Sequence, residues 1–98
     1  MYKDILSYEL AEGVSKEHLM TIAKQIVEDW MKNQAGFIKW EICANNDGGL
    51  TDIVYWESKE AAKNAEKEMA NIPNAGDWFA CYKSGTITSK NLTTIAEF

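Results

Sequence analysis

Apolar and polar positions alternate in part from Tyr2 to Leu10: Leu6, Tyr8 and Leu10 fall on one side, with Ser7 and Glu9 between them. A period of two predicts a strand with one apolar face, and Glu12-Gly13 ends it. The period then changes. Leu19, Ile22, Ala23, Ile26, Val27, Trp30 and Met31 recur every three or four residues, while Lys16, Lys24, Asp29 and Lys32 occupy the other side. That spacing predicts an amphipathic helix, opened by Ser15 as N-cap with Glu17 in the first turn and stopped by Asn33-Gln34-Ala35-Gly36.

Phe37 to Ala44 and Leu50 to Trp56 read as the second and third strands, joined by Asn45-Asn46-Asp47-Gly48-Gly49, whose residue types tolerate the positive φ of a hairpin turn. Ser58 caps a second helix in which Ala61, Ala62, Ala65, Met69 and Ile72 share a face, and Pro73 ends it. The alanines let this helix lie close against a sheet. Asn74 to Tyr82 is expected to be irregular or to hold a short helical turn. The β-branched run Thr86 to Ile95 supplies a fourth strand, weakened by Lys90 and Asn91.

Strand, helix, strand, strand, helix, strand is the order of a ferredoxin-like βαββαβ unit. The fold class is therefore α+β, a single domain over residues 1–98 with a four-stranded antiparallel sheet. Right-handed crossovers put both helices on one sheet face and leave the other bare. In the third strand Leu50, Val54 and Trp56 oppose Ile53 and Tyr55, so both parities carry large apolar groups. A bare face of that kind calls for a second copy of the chain. The hairpin register stays open, because a two-residue turn and a three-residue loop give opposite parities. Which of Trp40 and Tyr55 faces the helices stays open with it.

Composition adds four tryptophans, four tyrosines and three phenylalanines in 98 residues, which suits an interface or a lined cavity. The net charge is −5, and all ten basic residues are lysines. Without basic clustering the chain is a poor partner for nucleic acid or an anionic membrane. Cys43 and Cys81 form no disulfide or zinc motif. The opening MYKDILSYELAEG has no signal-peptide core, and no stretch reaches membrane-spanning length. A cytoplasmic protein is expected.

Two constellations offer chemistry. Asn74, Trp78 and Tyr82 stand at four-residue spacing, and on a helix they would share one face. Trp and Tyr donors would then sit beside an apolar pocket, although Trp78, Phe79 and Tyr82 would equally serve to plug the core. Glu41 and Asp52 interrupt the apolar runs of paired strands. If they point inward, burial raises a carboxyl pKa and creates a general acid or base; if outward, they are surface charges. One histidine, scattered carboxylates and unpaired cysteines give no metal ligand set.

The element order, the turn into Gly36-Phe37 and the run Asp52-Ile53-Val54-Tyr55-Trp56-Glu57-Ser58-Lys59-Glu60-Ala61 resemble the dimeric α+β barrel superfamily, and within it the antibiotic-biosynthesis-monooxygenase-like domains. The resemblance implies a homodimer, with the sheets of its two chains facing each other and a pocket between each sheet and its helices or loops. Haem-degrading members share an Asn, Trp and His trio. Here Ser7 and Tyr8 stand where that Asn would be sought, and the single histidine, His18, opens the first helix. Cofactor-independent monooxygenases of the group act on phenolic substrates, which implies no cofactor. Two functions are compatible with these residues. One is a homodimeric protein binding a small apolar or amphipathic organic ligand among Tyr8, Trp40, Trp56, Trp78, Phe79 and Tyr82. The other is a monooxygenase acting on a quinol-like aromatic, with Asn74, Trp78 and Tyr82 as candidate catalytic residues.

Overall fold

The computed structural model describes all 98 residues. Strands β1 (Tyr2–Tyr8), β2 (Phe37–Ala44), β3 (Leu50–Trp56) and β4 (Thr88–Thr93) form one antiparallel sheet in the order β2-β3-β1-β4. Helices α1 (Lys16–Asp29), α2 (Lys59–Lys67) and the short α3 (Ala75–Phe79) complete the chain. This is the expected ferredoxin-like order. No helix is long and apolar enough to cross a membrane.

Local chemistry accounts for the helix boundaries. The Ser15 side chain accepts from the His18 amide, and Ser58 accepts from the Ala61 amide, so each helix begins with one orphan N–H satisfied. Each helix ends in a single 3₁₀ turn, at Met31–Asn33 and Met69–Asn71. Gly36, at φ +82°, then turns the chain into β2 and accepts from the Glu57 amide at 2.8 Å. A β-carbon on Gly36 would stand 2.5 Å from that of Ala61, so glycine is required for space as well as for backbone sign.

Register follows from the hairpin. Ala44 pairs with Leu50 across a five-residue loop, in which the Asn45 amide donates to Gly49. Asp47 accepts from the Gly49 amide and Asn45 accepts from the Thr51 hydroxyl, which holds the loop at that length. Even-numbered residues of β1 and β3 therefore share a face: Tyr2, Leu6, Tyr8, Leu50, Val54 and Trp56. Leu19, Ile22 and Ile26 of α1 and Ala62 and Ala65 of α2 close over that face to form the core. Trp40 faces the helices and Tyr55 does not.

Three expectations change. Ile38 is an extra residue at a bulge between Phe37 and Lys39, so Phe37 turns to the core and meets the Trp56 ring edge-on at 5.7 Å. The strand predicted over Thr86–Ile95 is limited to Thr88–Thr93, because its partner β1 offers pairing from Ser7 back to Tyr2. The open face is mixed in character rather than apolar. Ile5, Ile53, Tyr55 and Leu92 share it with Lys3, Lys39, Glu41 and Lys90.

Candidate functional site

The alanines of α2 leave room that larger side chains would fill. A cavity of about 370 Å³ lies between the core face of the sheet and the helices. Leu6 and Val54 form its apolar floor, Ala62, Ala65 and Met69 its roof, and Trp30 and Met31 one wall. Polar groups gather at separate places in this apolar enclosure.

The first is Asp52, which is only 3 % exposed. It occupies the position between Leu50 and Val54 where the strand pattern calls for an apolar side chain, and it pairs with Leu6 of β1. The Tyr8 hydroxyl donates to its Oδ1 at 2.6 Å and the Tyr82 hydroxyl to its Oδ2 at 2.5 Å. The Trp78 indole N–H donates in turn to the Tyr82 hydroxyl at 2.9 Å. The Trp40 N–H is buried beside the same carboxylate, close enough to favour its charge, yet it completes no regular hydrogen bond.

Tyr82 reaches this position through the backbone. Beyond α3 the chain bridges Leu10 with Tyr82, the Ala11 amide donates to Cys81, and the Lys83 amide donates to Glu9. This short antiparallel contact continues the line of β1 and sets the Tyr82 ring 4.2 Å from that of Tyr8.

Burial pushes the Asp52 carboxyl above the ordinary aspartate value, outweighing the donors from Tyr8, Tyr82 and Trp40. Burial and the adjacent Asp52 charge push both tyrosines well above the ordinary phenol value, so they remain protonated donors. Each carboxylate oxygen accepts one tyrosine and keeps a lone pair for another donor. The arrangement can accept a hydrogen bond from a bound molecule at Asp52 or Tyr82, and it can take up a proton.

The sequence-derived candidates divide accordingly. Asp52, Trp40, Trp56, Trp78 and Tyr82 line the cavity, and Tyr8 supports it from behind Asp52. Glu41 lies on the opposite sheet face, where it accepts from the Tyr55 hydroxyl at 2.5 Å and stands 3.5 Å from Lys39 Nζ. Those contacts, led by the Tyr55 hydrogen bond, hold its carboxyl below the ordinary value. Asn74 lies outside the cavity lining, just before α3, and donates to Gln25 of α1 at 3.0 Å. Phe79 is half exposed and packs on Trp78 at 5.2 Å from outside. Of the three residues at four-residue spacing, Trp78 and Tyr82 meet at the cavity and Asn74 does not join them; α3 itself ends at Phe79.

Asp4 is a cavity residue absent from the sequence-derived candidates. It lies in phase with Leu6 and Tyr8 on β1, and an acidic residue in phase with an apolar face was the signal that could have found it. Asp52 carries the same signal on β3.

No protein-family model matches the chain, and neither does any curated protein. Solved structures do match. SnoaB, a cofactor-independent oxygenase from Streptomyces nogalater, is similar at a TM-score of 0.75 and 13 % identity, over 98 % of this chain and 94 % of that one. A monooxygenase from the gene ActVA-Orf6 of Streptomyces coelicolor, in complex with nanaomycin D, gives 0.72 and 15 %, over 99 % and 89 %. A point mutant of MhuD, with two manganese protoporphyrin IX bound per active site, gives 0.73 and 17 %, over 100 % and 98 %. At these identities the likeness is one of fold. The fold is the one shared by antibiotic-biosynthesis-monooxygenase-like proteins.

Proposed function

We propose that the chain binds a small, largely apolar aromatic compound carrying a hydroxyl group in the cavity between sheet and helices. The observation that carries this reading is Asp52, buried in the wall of a 370 Å³ apolar cavity and held by tyrosine hydroxyls instead of a cation. A buried carboxylate favours a ligand that donates to it, and the surrounding Trp40, Trp78 and Met69 favour an aromatic body. A second copy of the chain across the open sheet face completes the functional unit. The unpaired Cys43 and Cys81 suit a cytoplasmic setting.

Calorimetric titration with a naphthol tests the reading. Saturable binding is expected, weakened about tenfold in Asp52→Asn, in line with loss of a hydrogen bond to a charged group. Glu17→Gln, exposed on α1, is expected to bind as the parent does. Equal binding in Asp52→Asn and the parent would overturn the assignment.

A second reading is favoured by the same raised carboxyl pKa, since a buried carboxylate in a cleft is poised as a base. Asp52 takes the phenolic proton, and the resulting phenolate passes an electron to dioxygen. The radical pair joins as a carbon–oxygen bond at an unsubstituted ring position para to the hydroxyl, and the peroxide anion so formed takes the proton back from Asp52 to become a hydroperoxide. The hydroperoxide then loses water to leave a quinone. Phenol plus dioxygen thus gives quinone plus water, with every electron supplied by the substrate. The likeness to SnoaB and the ActVA-Orf6 protein supports this reading at the level of fold. Oxygen uptake with a polycyclic phenol is expected to rise with pH through the Asp52 pKa and to fall at least about a hundredfold in Asp52→Asn. Absence of uptake in the parent protein would leave the binding function alone.

A further inference from the structure

The polar groups around Asp4 differ from those around Asp52 and play no part in the reading above. Asp4 pairs with Val54 and Asp52 pairs with Leu6, so the two carboxylates are diagonal neighbours on adjacent strands and face the same cavity. Diagonal positions of an antiparallel pair stand roughly 7–8 Å apart. With the Asn91 amide oriented to suit its neighbours, its nitrogen donates to Asp4 Oδ1 at 2.9 Å and its oxygen accepts from the Tyr2 hydroxyl at 3.0 Å. Trp56, 3 % exposed, lines the cavity with a buried indole N–H that has no hydrogen-bond partner. That N–H lies beside Asp4, near enough to favour the carboxylate.

Charge decides what this end of the cavity accepts. Asp4 and Glu66 contribute two negative groups at the cavity wall and Lys63 one positive group. A ligand carboxylate or phosphate would meet net repulsion there and would find no arginine. A neutral hydroxyl meets an acceptor in Asp4 and a donor in Trp56. Between the two acidic ends the lining is apolar, with Leu6, Val54, Ala62 and Ala65.

We infer that Asp4, Trp56 and Asn91 form a second recognition end, so that the cavity selects an uncharged aromatic compound with hydroxyl groups at both ends of its ring system. One hydroxyl meets Asp52 and Tyr82, and the other meets Asp4 and Trp56. This inference rests on the reading of the Asp52 end as a hydroxyl site and narrows the ligand class from phenols to extended diphenols.

Three probes separate the two ends: a dihydroxynaphthalene with one hydroxyl on each ring, its monomethyl ether, and the hydroxynaphthoate bearing a carboxylate in place of the second hydroxyl. By calorimetry the diphenol is expected to bind about tenfold more tightly than the ether, and the carboxylate most weakly. In Asp4→Asn the preference for the diphenol over the ether is expected to fall to about threefold or less. Asp4→Val, which suits a strand position, gives the same comparison if the amide variant does not fold. Equal binding of diphenol and ether by the parent protein would overturn the second end and leave the Asp52 site standing. A preference unchanged in Asp4→Asn, or tightest binding of the carboxylate, would also overturn it. Failure of all three to bind would overturn the hydroxyl site itself and this inference with it.

Discussion

Asp52 has no ion-pair partner; two tyrosine hydroxyls hold its charge. Neutral donors return less than the water they replace, so burial dominates and its carboxyl pKa is raised. The consequence for stability has a definite sign. Between the ordinary aspartate value, about 3.9, and the raised folded value, the native state binds more protons than the unfolded chain. The contribution of Asp52 to stability is therefore full at acid pH and is lost as pH rises through the folded pKa. Asp4 shifts in the same direction, chiefly by burial, and Glu41 in the opposite one. Asp52→Asn isolates the Asp52 contribution. Thermal melts of parent and variant across the acid-to-neutral range should show the parent losing ground to the variant as pH rises. A difference in melting temperature independent of pH would mean that the Asp52 pKa is not raised.

Among the elements, α2 decides whether there is a cavity at all. Ala62 and Ala65 are its buried residues, and they face Leu6 and Val54 across the cavity. Leucine there would pack α2 and the sheet into a continuous core, as most helices over a sheet do. Ala65→Leu is therefore expected to keep the fold, since helix propensity is retained and the added side chain enters existing space. It should weaken naphthol binding by about tenfold or more, by the affinity scale in which about 1.4 kcal/mol is tenfold. Calorimetry alongside thermal melts checks both halves. Binding that survives in a folded Ala65→Leu protein would place the ligand elsewhere. The α3 segment shows the opposite economy: five residues suffice, because Tyr82 is positioned by its bridge to Leu10 and not by helical phase.

At the scale of the molecule, the sheet has one face under helices and one open. The open face mixes Ile5, Ile53, Tyr55 and Leu92 with a Tyr55–Glu41–Lys39 cluster, in which Lys39 Nζ stands 4.6 Å from the Tyr55 ring. In the proposed dimer this face would meet its own copy by two-fold symmetry, apolar residues against apolar, with lysine and glutamate on both sides. Sedimentation equilibrium of the parent protein should give twice the chain mass. Ile53→Lys, at the centre of that face and away from the core, should give the single-chain mass with the helical content intact. A parent protein that sediments as one chain at micromolar concentration would dismiss the dimer.

The element order, both serine caps and the fold class were legible in the sequence because they rest on local rules. Periodicity, capping side chains and turn-forming residues act within a few positions of one another, as at Ser15, Ser58 and Asn45–Gly49. The core face of α1, from Leu19 to Ile26, was legible for the same reason. Register was not. A hairpin loop of five residues, not two, puts Asp52 inside and Glu41 outside, and that length depends on Asn45 and Asp47 bonding to Thr51 and Gly49. Nor could the sequence bring Tyr82 to Tyr8, because that contact joins segments more than seventy residues apart through a backbone bridge. The residues that make an aromatic, acidic cavity are thus present in the pattern. Their convergence on Asp52 and Asp4 is a property of the closed sheet, since pairing across strands, and not spacing along the chain, chooses which carboxylates are buried together.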